Sequence, residues 1–182
     1  MSKASTVILT EEMIEAARAL IPATRVRRTV ASGIDTLTGI LGEFAFAEYF
    51  YNDWRRNRVG ENKGEVDFEG IEIKASAFPF SDRLNLLVRE DYAQKRKPVF
   101  YVQIILDVPS RHADTIFPGT KALVCGWATA EEVDRAPKRD FGSKMGGRGG
   151  YSCHYIRISA LHSMEGFRRK ILKKREDAHR SP

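Results

Sequence analysis

The stretch of sequence that decides the fold is Val66-Asp-Phe-Glu-Gly-Ile-Glu-Ile-Lys-Ala75. Apolar and polar residues alternate on both sides of Glu69-Gly70, and successive side chains on a strand point to opposite faces. Two residues ending in glycine between alternating runs are typical of a tight hairpin turn. We therefore predict two short strands here, Glu65–Phe68 and Ile71–Ala75.

The predicted hairpin brings acidic side chains together. If Phe68 pairs with Ile71, Asp67 lies directly opposite Glu72, with the two Cβ atoms ~5 Å apart. Like charges in that position destabilise a hairpin unless a cation lies between them, and a pair of carboxylates suits Mg²⁺ or Mn²⁺. Lys74 is on the same face, where it could orient or deprotonate a water or stabilise charge on a phosphate. The alternative is an exposed hairpin on which these three charges form a surface salt-bridge cluster.

A predicted helix from about Ile34 to Tyr51 adds a third carboxylate. Glu43 lies in the run Gly39-Ile-Leu-Gly-Glu-Phe-Ala-Phe-Ala47, and its neighbours three, four and seven positions away are almost all apolar or small. An unpaired carboxylate among apolar side chains is costly, so we expect Glu43 to meet a metal, a metal-bound water or Lys74. The glycines of this run would let the helix approach the sheet closely. The alternative is that Glu43 flanks the helix and reaches solvent.

The rest of the chain predicts one domain of the α/β or α+β class, with a central mixed β-sheet flanked by helices. Val99–Val108 is the most apolar run and is rich in β-branched and aromatic residues, which favours a central strand. Further strands are predicted at Leu84–Val88, Ala122–Ala128 and Tyr151–Ile158, and further helices after the caps Thr10, Thr129 and Ser159, the first of them ending at Pro22.

Composition excludes several classes of protein. The chain has 182 residues, of which 42% are hydrophobic and 30% charged, so it is globular rather than disordered. Cys125 and Cys153 are too few for a disulfide framework or a cysteine-based zinc site. We expect no signal peptide and no membrane partner, because no apolar run approaches the ~18 residues of a membrane span. The expected compartment is the reducing cytoplasm.

Positive charge is concentrated near the end of the chain. Residues 165–182 hold seven Lys or Arg and three acids, and so account for +4 of the net charge of +6. Residues 142–150 form a glycine-rich stretch, predicted to be a loop, that adds Lys144 and Arg148. Such a distribution suits a polyanionic partner. Cations also stabilise the C-terminal ends of helices, so the charge alone leaves both interpretations open.

Three features in this order resemble the PD-(D/E)XK nuclease superfamily. They are Glu43 on a helix, Asp67 in a hairpin, and Glu72-Ile73-Lys74 on the following strand. Val66 stands where the family often has proline. The resemblance implies a restriction-endonuclease-like core over residues 33–108, preceded by an N-terminal helix and basic linker at 1–32 and followed by a basic C-terminal helix or tail at 165–182.

The resemblance also implies roles for individual residues. Asp67 and Glu72 would ligate Mg²⁺ or Mn²⁺, helped by the main-chain carbonyl of Ile73. Glu43 would hold a second metal or a water, and Lys74 would assist the attacking water. Gln103 lies in the middle of the apolar run and could point at Lys74; alternatively it is a hydrogen-bonded residue of the core.

The function implied is that of a metal-dependent nuclease, with an endonuclease acting on DNA as the first candidate and a homodimer as an option. Three alternatives stay open: a non-catalytic nucleic-acid-binding module of the same fold, a nuclease directed at RNA, and an unrelated α/β domain with a solvated acidic hairpin. The complete set of four catalytic-type residues argues against a module that only binds. Contacts with the nucleic-acid backbone are predicted for Arg25, Arg27, Arg28, Arg55, Arg56, Arg58, Lys144 and Arg148.

Overall fold

The computed structural model describes residues 4–24, 33–56, 68, 70–90, 98–141 and 152–171. Strand β4 (Phe100–Asp107) is the centre of the fold, and all of its residues except Asp107 are buried. Apolar residues on both faces of a strand require a layer of protein on each side. The predicted central strand is therefore confirmed.

β4 belongs to a four-stranded mixed sheet. The sheet has the order β1-β5-β4-β2, with β1 at Ser5–Ile8, β2 at Ile71–Phe78 and β5 at Lys121–Thr129. β2 runs parallel to β4, whereas β5 is antiparallel to both β4 and β1. The predicted mixed α/β class is confirmed, and the short N-terminal strand β1 is an addition to it.

Two helices cover one face of this sheet, α1 (Glu11–Thr24) and α2 (Gly33–Tyr51). Ile73 of β2 and Ile104 of β4 point towards them and share one core with Leu41 and Phe44 of α2. The two elements touch closely at Gly42, where a Cβ atom would lie 2.3 Å from the Cβ of Ala75. A glycine is therefore required at this crossing of α2 over β2.

A second sheet covers the opposite face. It is antiparallel, with the order β3-β7-β6, and consists of β3 (Asn85–Arg89), β6 (Lys138–Asp140) and β7 (Ser152–Arg157). Leu86 and Val88 of β3 pack with Tyr101 and Ile105 of β4, and helix α3 (Ala130–Arg135) adds Val133 to this second core. The prediction that all strands lie in one sheet is wrong. The strands form two sheets, because β3 and β7 pair with each other.

The predicted starts of helices are confirmed at two caps. The Thr10 hydroxyl accepts a hydrogen bond from the main-chain N–H of Met13 at 3.2 Å. Thr129 and Glu132 form the predicted capping box at the start of α3. The predicted end of α1 at Pro22 is wrong, because the helix continues to Thr24. A proline removes one main-chain hydrogen bond and crowds the preceding turn, but its fixed φ is helical, so the chain can keep a helical course for two further residues.

The predicted helix start at Ser159 is also wrong. Residues Ile158–Ala160 form a single 3₁₀ turn, and the last described helical segment covers only residues 167–171. His162 exchanges two main-chain hydrogen bonds with Trp127 of β5, at 2.9 and 3.0 Å. Its backbone groups are therefore already used in a strand-like bridge and are not available to an α-helix. The apolar side chains of Met164, Phe167 and Ile171 in this segment are nevertheless buried.

Part of the basic C-terminal segment has structural contacts. The Arg168 guanidinium donates to the main-chain carbonyl of Phe50, near the end of α2. A cation at this place satisfies a helix carbonyl and favours the negative end of the helix dipole. Lys170 lies over the ring of Trp127, with Nζ 4.6 Å from the ring centroid. The Arg168 contact agrees with the interpretation that these cations stabilise a helix end, whereas Lys170 contacts an aromatic ring. No helix in the described ranges is long and apolar enough to cross a membrane.

Gly42→Ala tests the close crossing of α2 over β2. Alanine favours helix over glycine by about 1 kcal/mol, but overpacking of a core typically costs about 1–3 kcal/mol. We expect Gly42→Ala to lower the free energy of unfolding by about 1–2 kcal/mol in urea denaturation.

Gly39→Ala is the matched control, because a Cβ atom there would meet nothing within 4 Å. It should raise the free energy of unfolding by up to about 1 kcal/mol. Equal effects of the two variants would show that the two elements do not meet at Gly42.

Candidate functional site

The predicted hairpin closes at the predicted pair. The N–H of Phe68 donates to the carbonyl of Ile71 at 3.0 Å, and the N–H of Ile71 donates back at 2.9 Å. Gly70 has φ +71°, a left-handed conformation that glycine adopts without strain. Asp67 lies outside the described residues, so its predicted position opposite Glu72 stays a prediction.

Glu72 and Lys74 form the polar pair of β2. The Lys74 Nζ lies 2.6 Å from Oε1 of Glu72, and the side chains are only 26% and 18% exposed, respectively. The second carboxylate oxygen, Oε2 of Glu72, is buried and has no hydrogen-bond partner among the described residues. A buried acceptor without a donor costs about 1–3 kcal/mol. The arrangement therefore leaves one ligand position of the carboxylate unsatisfied.

The parallel pairing of β2 with β4 sets the neighbours of this pair. Glu72 is in register with Tyr101, and Lys74 is in register with Gln103. In a parallel pair of strands, residues in register point to the same face. Burial, followed by the negative charges of Glu72 and Asp134, raises the pKa of the Tyr101 phenol to about 12. Tyr101 thus stays a neutral hydroxyl beside the carboxylate.

Gln103 is buried, and its side-chain amide nitrogen donates to the main-chain carbonyl of Ile104 at 3.0 Å. This contact agrees with the alternative interpretation, in which Gln103 is a hydrogen-bonded residue of the core. Its register with Lys74 also agrees with the predicted placement beside the lysine. A catalytic role for Gln103 stays a prediction.

Glu43 lies on α2, on the side of the sheet that Ala75 faces. It is half-buried on α2, next to Gly42, which contacts Ala75 of β2. Ala75 points towards α2, so Glu72 and Lys74 point to the other face of the sheet. A site shared by Glu43 and this pair would have to form around the edge of β2, the outermost of the four strands described in its sheet. Convergence of all four predicted residues stays a prediction.

The residues at this edge fit a hard divalent cation. Mg²⁺ takes one or two carboxylates and completes its shell with water and phosphate oxygens. Glu72 offers an oxygen without a partner among the described residues, and the Ile73 carbonyl follows it in the chain. The described part of the chain contains no group of three or more His, Cys, Asp or Glu side chains that are placed to hold a metal ion. A bound Mg²⁺ or Mn²⁺ would therefore depend on Asp67 or Glu43 as a further carboxylate.

Of the predicted backbone-contacting cations, the structure describes Arg55 and Arg56. The Arg55 guanidinium forms an ion pair with Glu12 and lies over the Trp54 ring, 4.5 Å from its centroid. Arg56 is exposed and lies 5.2 Å from the centroid of Tyr51. A phosphate at Arg55 would have to compete with Glu12. The other predicted contacts lie outside the described residues, namely Arg25, Arg27, Arg28, Arg58, Lys144 and Arg148.

A cleft among the described residues lies elsewhere, between the start of α1 and the end of α2. Its volume is about 850 Å³, and its walls include Glu11, Glu12, Glu48 and Asp53. Glu48 is already used, because its Oε2 accepts a hydrogen bond from the main-chain N–H of Trp54 at 3.0 Å. Acidic walls repel phosphate, so this cleft is a poorer candidate for a nucleic-acid site than the edge of β2.

No protein-family model, no curated protein and no solved structure matches this chain.

Sequence reasoning missed Tyr101 as a neighbour of Glu72. The two residues are far apart in the chain and meet only because β2 pairs with β4 in one register. A one-residue shift of that register would move Tyr101 away from the carboxylate.

Tyr101→Phe tests this electrostatic neighbourhood. In the wild-type protein, the Tyr101 phenol has a pKa of about 12 in the folded chain and its ordinary pKa of 10.0 in the unfolded chain. The protonated phenol therefore stabilises the fold below about pH 10, and this contribution is lost as the pH rises towards 12. Between pH 9 and 12 we expect the free energy of unfolding of wild type to fall by about 2–3 kcal/mol more than that of Tyr101→Phe. Identical pH profiles in urea denaturation would contradict the assignment.

Proposed function

We propose that this protein is a metal-dependent nuclease that hydrolyses phosphodiester bonds of DNA, and that its active site lies at Glu72 and Lys74. The observation that carries the proposal is the buried Oε2 of Glu72, which has no partner among the described residues while Oε1 is held by Lys74. In the alternative, a solvated salt-bridge cluster on the surface, both carboxylate oxygens of Glu72 would be open to water. A carboxylate with one buried oxygen unsatisfied is instead prepared to accept a cation.

The residues of the site have distinct tasks in this proposal. Glu72 binds the divalent ion, together with Asp67 and with help from the Ile73 carbonyl. When bound, Mg²⁺ or Mn²⁺ would lower the pKa of a water and offset charge on the scissile phosphate. Lys74 orients that water and stabilises the charge that develops on the phosphate oxygens. Glu43 holds a second metal or a water from the α2 side.

The surroundings of the pair support these tasks. Lys74 and Glu72 are mostly shielded from solvent, which strengthens their electrostatic effect on a bound phosphate. The Tyr101 pKa of about 12 means that the phenol adds no negative charge at neutral pH. Cys125 and Cys153 are both free and buried, which suits the reducing cytoplasm that we propose as the compartment.

Lys74→Ala tests the proposal directly. The purified chain would be incubated with supercoiled circular DNA and with linear DNA, in Mg²⁺, Mn²⁺ or EDTA. Wild type should nick circles with either metal and not with EDTA. Lys74→Ala should lower the rate by about 10²–10³-fold, because a group that stabilises transition-state charge is lost. DNA affinity measured in EDTA should stay within about twofold, since one phosphate contact contributes little.

Lys138→Ala is the matched control. Lys138 forms the same kind of ion pair with Glu90, at 2.7 Å on the surface of the second sheet, and should leave nicking unchanged. Absence of metal-dependent cleavage by wild type would refute the nuclease. Equal cleavage by wild type and Lys74→Ala would refute the site, and a parallel loss of binding and cleavage would make Lys74 an ordinary phosphate contact.

A further inference from the structure

Two exposed phenylalanines follow the proposed active site in the chain, one at the end of β2 and one just beyond it. Phe78 ends β2 and is 39% exposed, and Phe80, two residues later, is 41% exposed. Glu72, Lys74, Ser76 and Phe78 all occupy alternate positions, so they share one face of β2. Exposed aromatic rings in continuity with a polar site call for a ligand that has an apolar flat surface and a negative charge.

The backbone at Phe80 is tied to the neighbouring strand, β4. The main-chain N–H of Phe80 donates to Oδ1 of Asp107 at 2.8 Å, and Asp107 is in register with Phe78. On its other side Asp107 is in register with Lys121 of β5, which is exposed. Arg83, three residues after Phe80, is also exposed. The backbone that carries the two rings is therefore anchored to β4, with an exposed cation in register with Asp107 and another three residues after Phe80.

We infer that Phe78 and Phe80 form a stacking platform for unpaired bases, and that the substrate of the site at Glu72 and Lys74 is DNA with a single-stranded segment. This inference rests on the proposed nuclease function. Aromatic side chains stack on the faces of bases that have left the duplex, because base pairs in a duplex are already covered by their neighbours. A continuous duplex offers these rings nothing to stack on.

The spacing along β2 fits this geometry. Four residues separate Lys74 from Phe78, which corresponds to about 13 Å at ~3.3 Å per residue. A stacked nucleic-acid strand advances ~3.4 Å per nucleotide, so a base on Phe78 would lie at most about four nucleotides from a phosphate at Lys74. One strand of DNA can therefore contact both places at once.

The test compares affinities for single-stranded and duplex DNA without any cleavage. A labelled single-stranded oligonucleotide and the blunt duplex of the same sequence would be titrated with protein in EDTA, and binding followed by fluorescence anisotropy. Phe78→Leu and Phe80→Leu each remove a ring but keep an apolar side chain. Each should weaken single-strand binding by about 5- to 150-fold and leave duplex binding unchanged, as expected for the loss of one base-stacking contact.

Two further variants guard against effects on folding. Phe117→Leu alters another exposed phenylalanine, 65% exposed in the loop before β5, and should change neither affinity. Phe78→Tyr keeps a ring and should bind single strands as wild type does. Leucine variants that bind single strands as tightly as wild type, or that lose both affinities equally, would overturn the platform. A change of oligomeric state with unchanged single-strand binding would also overturn it, since the rings would then contact another copy of the chain.

The two proposals fail separately. A wild-type chain that nicks DNA but binds single strands without help from the rings refutes the platform and leaves the nuclease standing. A chain that binds single strands through the rings but never cuts, with any metal, refutes the nuclease and leaves the platform standing.

Discussion

The parallel pairing of β2 with β4 is the constraint on which the rest of the structure depends. It makes β4 an interior strand with a core on each face, and it decides which residues meet the polar pair of β2. Residues 79–99 connect the two strands, and β3 lies within this connection. The same connection therefore supplies Leu86 and Val88 to the second core, so the pairing and the second sheet are formed together.

The polar pair is placed where it is neither solvated nor fully satisfied. Glu72 and Lys74 lie on the outermost described strand of their sheet, partly covered, with an apolar core beside Tyr101. An isolated buried charge would be far more costly, and a fully exposed pair would contribute little. On the opposite face of β2, Gly42 allows α2 to pack closely on Ala75, and this packing restrains the position of β2.

The sequence predicted the elements whose causes are local. The capping box at Thr129, the closure of the hairpin at Phe68 and Ile71, and the apolar strand β4 each depend on residues within a few positions of one another. It did not predict features that depend on pairing between distant residues. These are the separate second sheet, the short strand β1, the bridge of His162 with Trp127 before the last helix, and the effect of the Glu72 charge on Tyr101. In the candidate site, the partnership of Glu72 and Lys74 was predictable because the two side chains share a strand face. The unsatisfied oxygen was not, because burial is a property of the whole fold.

The position of β1 at the edge of the sheet affects how the chain folds during its synthesis. Ser5 pairs with Val124, so β1 leaves the ribosome long before its partner strand β5 does. At ~5–20 residues per second, that interval lasts on the order of 6–24 s. A strand of only four residues, Ser5–Ile8, has little capacity to pair with other nascent chains meanwhile. The brevity of β1 thus protects the protein from aggregation before the sheet is complete.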